Sequence, residues 1–580
     1  MPIIKEICIK NFRSIQLTTW CPSPGLNCLI GPGDSGKSTI LDAIDLALGA
    51  RRYYQFSDAD FFQLNTDNPI EITITLGNLP EPLLNIDSYG FFLRGRNPET
   101  LAISDEPQPG WENVLTLKLL VNSDLDPAWI LYSDRAVEEG IEKRLPWKHR
   151  ELISPSRLGV YASNQLSWGQ NSILNKLSEN TLDVSAVLAD AARKTRSAFA
   201  EKPIEQVDDV LKQVEGIANG LGVPVEDLKA LLDVKGVSLT SGAISLHDGN
   251  HVPLRQLGTG STRLLLSGLQ KAATSSRILL VDEAEYGLEP YRITRLLNEL
   301  GSKSAKPEKQ VFLTTHSPYV LRELQAGQLH VVRRTAGPPF PPPFFDHSHR
   351  IIPLGNGGQE QATLRSCAEA FFSKFVIVGE GKTEVGLVRG LDLHCEDRGF
   401  TGIHGRGAFC VDGDGNGKCL QRAGIFRSLL YQTAIFQDSD VNDSTYLANV
   451  QTCRDSGIAV FEWGQGLSTE TALFTHCPLD CLLPVLQLAI NNHGDQKINS
   501  HIENVSNGQY SLAKCWASPT DEIRQILGMA AGKYSWFKKI AYAEELARTI
   551  IGPNLTRFQQ PFRDVLSGIF KWVPGAGGGQ

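Results

Sequence analysis

The apolar positions of this chain fall into blocks, each with its own period. Ile3, Ile4, Ile7 and Ile9 mark an opening strand, and Leu26 to Ile30 form a second that runs straight into a glycine-rich stretch. Ile40, Leu41, Ile44, Leu46 and Leu48 then follow helical spacing, which predicts strand, loop and helix in succession. Ile70, Ile72, Ile74 and Leu76 alternate with polar residues as in a half-buried strand. Residues 170–235 read differently. Val207, Val210, Leu211, Val214, Ile217, Ala218 and Leu221 keep the spacing of an amphipathic helix, and Leu174, Leu177, Val184, Val187 and Leu188 suggest another upstream. This block interrupts an α/β pattern that resumes at Ile278–Val281 and Val311–Thr314, so it reads as an insertion. Its apolar stripe serves either a subunit interface or packing against its own domain. The run Gly337-Pro338-Pro339-Phe340-Pro341-Pro342-Pro343 cannot sit inside a helix or central strand, which puts a domain boundary near 345–365. Phe375–Val378 begins a second strand–helix series.

A chain of 580 residues is too long for one core, so two or three domains are expected. The expected division is 1–165 and 241–350 as two parts of one α/β domain, 166–240 as the helical insertion, and 365–580 as a second α/β domain with a helical extension. Hydrophobic residues at 41% and charged ones at 21% are those of a soluble globular protein. No run of 18 apolar residues occurs and no signal-peptide pattern opens the chain, so no membrane contact and a cytoplasmic location are expected. The 11 cysteines form no C-x-x-C pair and read as reduced thiols. His394, Cys395, His404, Cys410 and Cys419 match no common zinc spacing. A net charge of −8 excludes a generally basic coat but not a local basic groove for nucleic acid.

Two stretches carry phosphate chemistry. The first, Gly31-Pro32-Gly33-Asp34-Ser35-Gly36-Lys37-Ser38, is a complete G-x-x-x-x-G-K-[ST] loop. Its backbone N–H groups, with Thr39 following, would cradle the phosphates of ATP; Lys37 would reach the β- and γ-phosphates and Ser38 would hold Mg²⁺. Ile278-Leu279-Leu280-Val281 ends in Asp282, expected on Mg²⁺ through water, and Glu283, expected to polarise the attacking water. Phe312-Leu313-Thr314-Thr315 leads to His316, a candidate γ-phosphate sensor. Gly258 and Gly260, in Leu257-Gly258-Thr259-Gly260-Ser261, open a helix whose N-terminus suits an anion. Singly these are also a capped strand end or an ordinary turn; their joint order is harder to obtain by accident. That order, with Ile7-Cys8-Ile9-Lys10-Asn11-Phe12-Arg13-Ser14, resembles the ATP-binding cassette ATPases, in the soluble branch of RecF and the SMC proteins. The resemblance implies a head-to-head dimer in which each signature turn closes over the partner's ATP. The turn here lacks the second-position Ser of L-S-G-G-Q, so that contact is expected to be altered. Glu285-Tyr286-Gly287-Leu288-Glu289-Pro290 fits the dimer-contact loop of that branch.

In the second stretch, Val376-Ile377-Val378 leads to Gly379-Glu380-Gly381, placing a carboxylate at a strand's C-terminal end, where open α/β sheets bind ligands. Glu384 would share a helix face with Glu380. Thr433–Gln437 leads to Asp438 and Asp440, which alternation would point to one side. Carboxylates so gathered repel unless divalent cations lie among them, and hard oxygen donors suit Mg²⁺ or Mn²⁺. The alternative is a set of helix caps and solvated acids without catalysis. The E-x-x-x-E then D-x-D order resembles the Toprim domain, and its pairing with a cassette ATPase resembles the OLD (overcoming lysogenization defect) nuclease family, over nearly the whole chain. The resemblance implies a further metal acid, for which Glu470 is the candidate, and a downstream base, for which Lys533, or else Lys538, is the candidate. Asp412-Gly413-Asp414-Gly415-Asn416-Gly417 begins like a Ca²⁺ loop, but Ala423 stands at the twelfth position, so a glycine-rich turn is preferred.

These expectations combine into an ATP-regulated, divalent-metal-dependent endonuclease or nickase on double-stranded DNA, assembled as a homodimer or tetramer. A role in phage defence and a helicase-like partner follow from the resemblance alone, since the nuclease subunit of the Gabija anti-phage system belongs to the OLD family. The alternative is an ATP-dependent DNA-binding clamp like RecF and the SMC heads, with non-catalytic acids. Topoisomerase and primase readings are weaker, because nothing marks a nucleophilic tyrosine or a priming module.

Overall fold

The structure is a computed structural model that describes residues 2–51, 53–158, 185–200, 253–273, 277–334, 349–464, 466–517 and 519–574, with positions 212, 246, 247 and 249. The helix expected over 207–221 and the proline run 337–343 lie outside the described residues. Within the helical block, Ser185–Ala200 form one helix, on which Val187 is exposed.

The chain opens with strands β1 (Ile3–Phe12), β2 (Ile15–Trp20) and β3 (Leu26–Ile30), then the glycine-rich loop and helix α1 (Lys37–Leu48). It folds into two compact units, one of residues 1–15, 20–27 and 38–315, the other of residues 16–19, 28–37 and 316–580.

The first unit contains an antiparallel sheet. β1 pairs with β4 (Ile70–Gly77), and β4 with β7 (Glu112–Val121); β7 also pairs with β5 (Leu93–Arg96) and β8 (Pro127–Tyr132), while β6 (Ile103–Ser104) edges β5. The alternation read from the sequence has its physical cause here: Ile70, Ile72, Ile74 and Leu76 are buried on one face. Buried Thr75 and Thr116 satisfy each other across β4 and β7, Oγ1 to Oγ1 at 3.0 Å. A second, parallel set joins β9 (Ser156–Leu158), β10 (Ile278–Val281) and β11 (Gln310–Thr314). β10 is apolar throughout and wholly buried, as a parallel strand covered on both faces must be. The buried Gln310 amide accepts from Ile4 N at 2.7 Å and donates to Ile4 O and Ser23 O, so β11 and the start of the chain are fastened by a satisfied polar group. Helix α2 (Thr259–Ala273) follows the signature-like turn.

In the second unit, Cys28, Leu29 and Ile30 of β3 pair in parallel with β12 (Leu329–Arg334), which pairs antiparallel with β13 (His349–Pro353). Beyond lies a four-stranded, all-parallel sheet of β14 (Phe375–Gly379), β15 (Ala408–Asp412), β16 (Gln432–Gln437) and β17 (Ala459–Glu462), in the order β15-β14-β16-β17. Helices α3 (Lys382–Asp397), α4 (Asn416–Ser428) and α5 (Ser444–Asp455) make the crossovers. β14 comes first in the chain yet lies between β15 and β16, so the order reverses beside it. The crevice at such a reversal, outside the strands' carboxyl ends, is where open α/β sheets hold ligands. Helices α6 (Thr469–His476), α7 (Asp521–Tyr534) and α8 (Ile540–Leu546) belong to a helical extension that supplies much of this core. α8 lies so close to α3 that a Cβ on Gly390 would fall 2.2 Å from Glu544 O; glycine is what permits the crossing that fixes α3.

Candidate functional site

In the glycine-rich loop the Lys37 ammonium is buried and turned back on its own loop, donating to Pro32 O at 2.8 Å, Gly31 O at 3.1 Å and Ser35 Oγ at 3.3 Å. Gly33 and Asp34 are exposed at the loop's crest, Ser35 is buried and Gly36 has a φ of 90°. Ser38 and Thr39 follow in the first turn of α1, and Ser38 Oγ donates to Asp282 Oδ1 at 3.2 Å. Asp282 ends β10, and its Oδ1 also accepts from Thr314 Oγ1 at 2.7 Å; the same hydroxyl accepts from Glu283 N at 2.9 Å. One threonine at the end of β11 thus orients both acids. Arg157 approaches Asp282 Oδ2 at 3.5 Å and holds Asp42 Oδ1 at 2.6 Å. Glu283 lies in the left-handed region, φ 48°, a strained setting for a non-glycine residue that suits a functional acid.

Gly260 packs against the loop after these acids. A Cβ there would meet Gly287 O at 2.5 Å, which explains glycine at this position, whereas Gly258 faces open space. Arg263, one turn further along α2, is buried and donates to Asp282 O. His316 packs its ring 6.1 Å from Phe372, centroid to centroid.

The acids of the second unit gather at the carboxyl edge of the parallel sheet. Glu380 directly follows β14; its N–H donates to Phe436 O at 2.8 Å, and its Oε2 accepts from Asp438 N at 2.9 Å. With its amide oriented by hydrogen bonding, Asn416 also donates to the Glu380 carboxylate, 3.2 Å from Oε2. Helix α3 starts only at Lys382, so Glu380 precedes it, and the expectation of a shared helix face fails. Glu384 is brought in as the helix's third residue, its Oε2 accepting from Gly381 N at 2.9 Å. β16 ends at Gln437, so strand alternation does not continue through Asp438 and Asp440: Asp438 is half-buried and Asp440 exposed.

Thr469, at the start of α6, binds two of the acids together. Its Oγ1 accepts from Trp463 Nε1 at 2.6 Å and lies 2.6 Å from Glu384 Oε1 and 2.7 Å from Asp438 Oδ1, while its N–H donates to Asp438 Oδ1 at 2.8 Å. A hydroxyl has one proton for two carboxylates. The remaining contact is relieved when one acid is protonated, and the surroundings favour this. Burial pushes Glu380 up to about 7 and Asp438 up to about 8, each raised further by neighbouring carboxylates. Burial likewise takes Glu470 to about 7 and raises Glu384. Glu470 is buried 3.5 Å from Thr383 Oγ1. Lys538 is the cation whose charge opposes these shifts at Glu380, Glu384 and Glu470; Lys533 instead lies over the Tyr534 ring, 5.5 Å from its centroid. Among the described residues no three His, Cys, Asp or Glu side chains converge as a ready-made ion cage. The donors are nonetheless hard oxygens, partly buried and short of positive charge, a set whose chemistry fits a divalent cation of the Mg²⁺ class.

Five contributors escaped the sequence reading. Thr469 had a faint signal, a capping Ser-Thr-Glu beside a candidate acid, and Thr314 was a polar end to an apolar strand. Arg157, Arg263 and Asn416 had none, because their partners are remote in the chain.

The loop, the acids of β10 and the turn before α2 together define a P-loop ATPase. A family profile described as "AAA domain, putative AbiEii toxin, Type IV TA system" matches residues 26–322, just over half of the chain, and the chain belongs to that family. It is also similar to an OLD nuclease from Thermus scotoductus, 23% identical over 352 residues, which is 57% of this chain. The chain spans 62% of that relative's length, less than two thirds. A DNA replication and repair protein RecF from Moorella thermoacetica is 38% identical over 55 residues, 10% of this chain and 15% of the relative. Among solved structures, an SMC head domain from Thermotoga maritima matches at a TM-score of 0.28 and 15% identity, over 61% of this chain and 99% of that one. Among the described residues no helix is long and apolar enough to cross a membrane.

Proposed function

We propose that the chain is an ATP-regulated, divalent-metal-dependent endonuclease or nickase of DNA, with a Toprim-type site in its second unit. The observation that carries this reading is the gathering of Glu380, Glu384, Asp438 and Glu470 beside the strand-order reversal, with Thr469 shared between two of them. Similarity to the OLD nuclease supports it. Glu380, Glu384, Asp438 and Asp440, with Glu470, would hold Mg²⁺ or Mn²⁺. Such an ion, when bound, supplies Lewis-acid polarisation of a phosphate and a more acidic water. The chain's own side chains do the rest. Asn416 and the Asp438 amide orient Glu380, Thr469 orients Glu384 and Asp438, and Lys538 offsets negative charge on the phosphate undergoing cleavage, a role that suits it better than Lys533.

In the first unit, Ser38 and Asp282 would hold the Mg²⁺ of bound ATP, Lys37 would swing from its own loop to the phosphates, and Glu283 would orient the attacking water. Gly258 and Gly260 would close over ATP in a second copy, making the working form a homodimer or tetramer. A defence role against phage, a Gabija-like helicase partner and a cytoplasmic location belong to the same proposal. The RecF match favours a second reading, an ATP-dependent DNA clamp whose acids are structural.

The test is incubation of the purified chain with supercoiled plasmid and Mg²⁺ or Mn²⁺, with and without ATP. Conversion to open-circular or linear DNA that EDTA prevents supports the nuclease. Intact plasmid in every lane, alongside ATP-dependent retention of DNA, supports the clamp.

A further inference from the structure

A pocket of about 300 Å³ opens in the first unit at the carboxyl end of α1. Three arginines, Arg51, Arg144 and Arg150, and three aromatic side chains, Tyr53, Trp129 and Trp147, line it against a single acid, Asp126. The pocket is tied to the end of the helix: Trp129 Nε1 donates to Leu46 O at 2.9 Å, and Arg150 donates to Gly49 O at 2.6 Å and Arg51 O at 3.1 Å. α1 has 12 residues and runs for about 18 Å, so the pocket lies a full helix length from Ser38 and is not the ATP site.

Its charge is unbalanced. Arg51 is paired with Asp45. Arg150 is buried with its guanidinium 4.8 Å from the centre of the Trp129 ring, and it bonds only backbone carbonyls; among the described residues no carboxylate pairs with it. A buried cation without a counter-charge is costly, and an anion entering the pocket would relieve it. Arg144 is exposed at the mouth and makes no ion pair among the described residues. The aromatic faces are as unusual: Tyr53 is 69% exposed and Trp147 41%, although both are large and apolar. Guanidinium groups suit phosphate, and open ring faces suit a flat base.

We propose that this pocket is a second nucleotide site, taking a phosphate at Arg144 and Arg150 and a base against Tyr53 and Trp147. The nucleotide is either free or one unit of a single strand. The inference does not depend on the acidic site of the second unit.

The test is fluorescence anisotropy of a labelled oligo(dT) 12-mer with the full chain in EDTA, on an Asp438→Asn background so that cutting cannot intrude, with unlabelled dTMP as competitor. Arg144→Glu and Trp147→Ala, both at exposed positions, are compared with that parent after thermal melting has established that they fold. We expect each to weaken strand binding by about five-fold or more, the loss of one stacking or phosphate contact, with affinity for a fluorescent ATP analogue unchanged. If dTMP binds with the same dependence on Arg144 and Trp147, the free nucleotide is the ligand; if only the strand does, the ligand is nucleic acid. Equal affinity in the parent and both variants, or no binding of either probe by the parent, overturns the proposal.

Discussion

Replacing Asp438 by Asn should raise the stability of the metal-free protein while removing its metal chemistry. The side chain keeps the oxygen that accepts from the Thr469 N–H and hydroxyl, so the local hydrogen bonds survive and the charge alone is lost. Asp438 is raised from 3.8 to about 8, chiefly by burial, then by Glu384 and Glu380. A carboxyl raised on folding holds its proton more tightly in the fold than in the unfolded chain. Its contribution to stability is therefore complete below the unfolded value and is lost as pH rises towards the folded one. Each pH unit in that window is worth about 1.4 kcal/mol, giving an upper limit of about 5 kcal/mol. Proton sharing with the neighbouring acids and partial solvent access reduce this to on the order of 2 kcal/mol. Urea unfolding of parent and variant in EDTA, at pH 5 and pH 8, measures it. The two should differ little at pH 5, and the variant should lead by roughly 2 kcal/mol at pH 8. A variant less stable than the parent at pH 8 would refute the argument that buried charge, rather than a favourable ion pair, dominates at this residue.

Glu283→Gln should slow ATP hydrolysis by at least about 100-fold while ATP binding persists, as expected when a water-orienting acid is neutralised; unaltered turnover in a phosphate-release assay would remove Glu283 from that role. Gly260→Ala should lower the thermal midpoint and weaken ATP-dependent self-association, because its Cβ would fall 2.5 Å from Gly287 O; a variant equal to the parent in both would show that the close approach is dispensable. Lys538→Ala should reduce plasmid cleavage at least about 10-fold and lower the pH at which the acids ionise, with Lys533→Ala nearly silent; the reverse ranking would return the role to Lys533.

Periodicity made the strands legible wherever the pattern was unambiguous. Ile70 to Leu76 alternates because one face is buried, and Ile278 to Val281 is uniformly apolar because both faces are. The P-loop and the acids after β10 and β14 were legible because they are local in sequence. The arrangement within the acidic site was not. Glu384 is placed by capping Gly381 rather than by stacking on Glu380, and Asp440 leaves the site because β16 stops at Gln437. The bridging role of Thr469 depends on Trp463 and on acids 85 and 31 residues away, which no local spacing encodes.

The most direct measurement of the central claim is cleavage of supercoiled plasmid in Mn²⁺ by the parent, Glu380→Ala and Asp438→Asn side by side. The account predicts open-circular or linear product from the parent and none above background from either variant, with both still binding ATP. Equal cleavage by all three would contradict it, since the chemistry would then lie elsewhere than at Glu380 and Asp438.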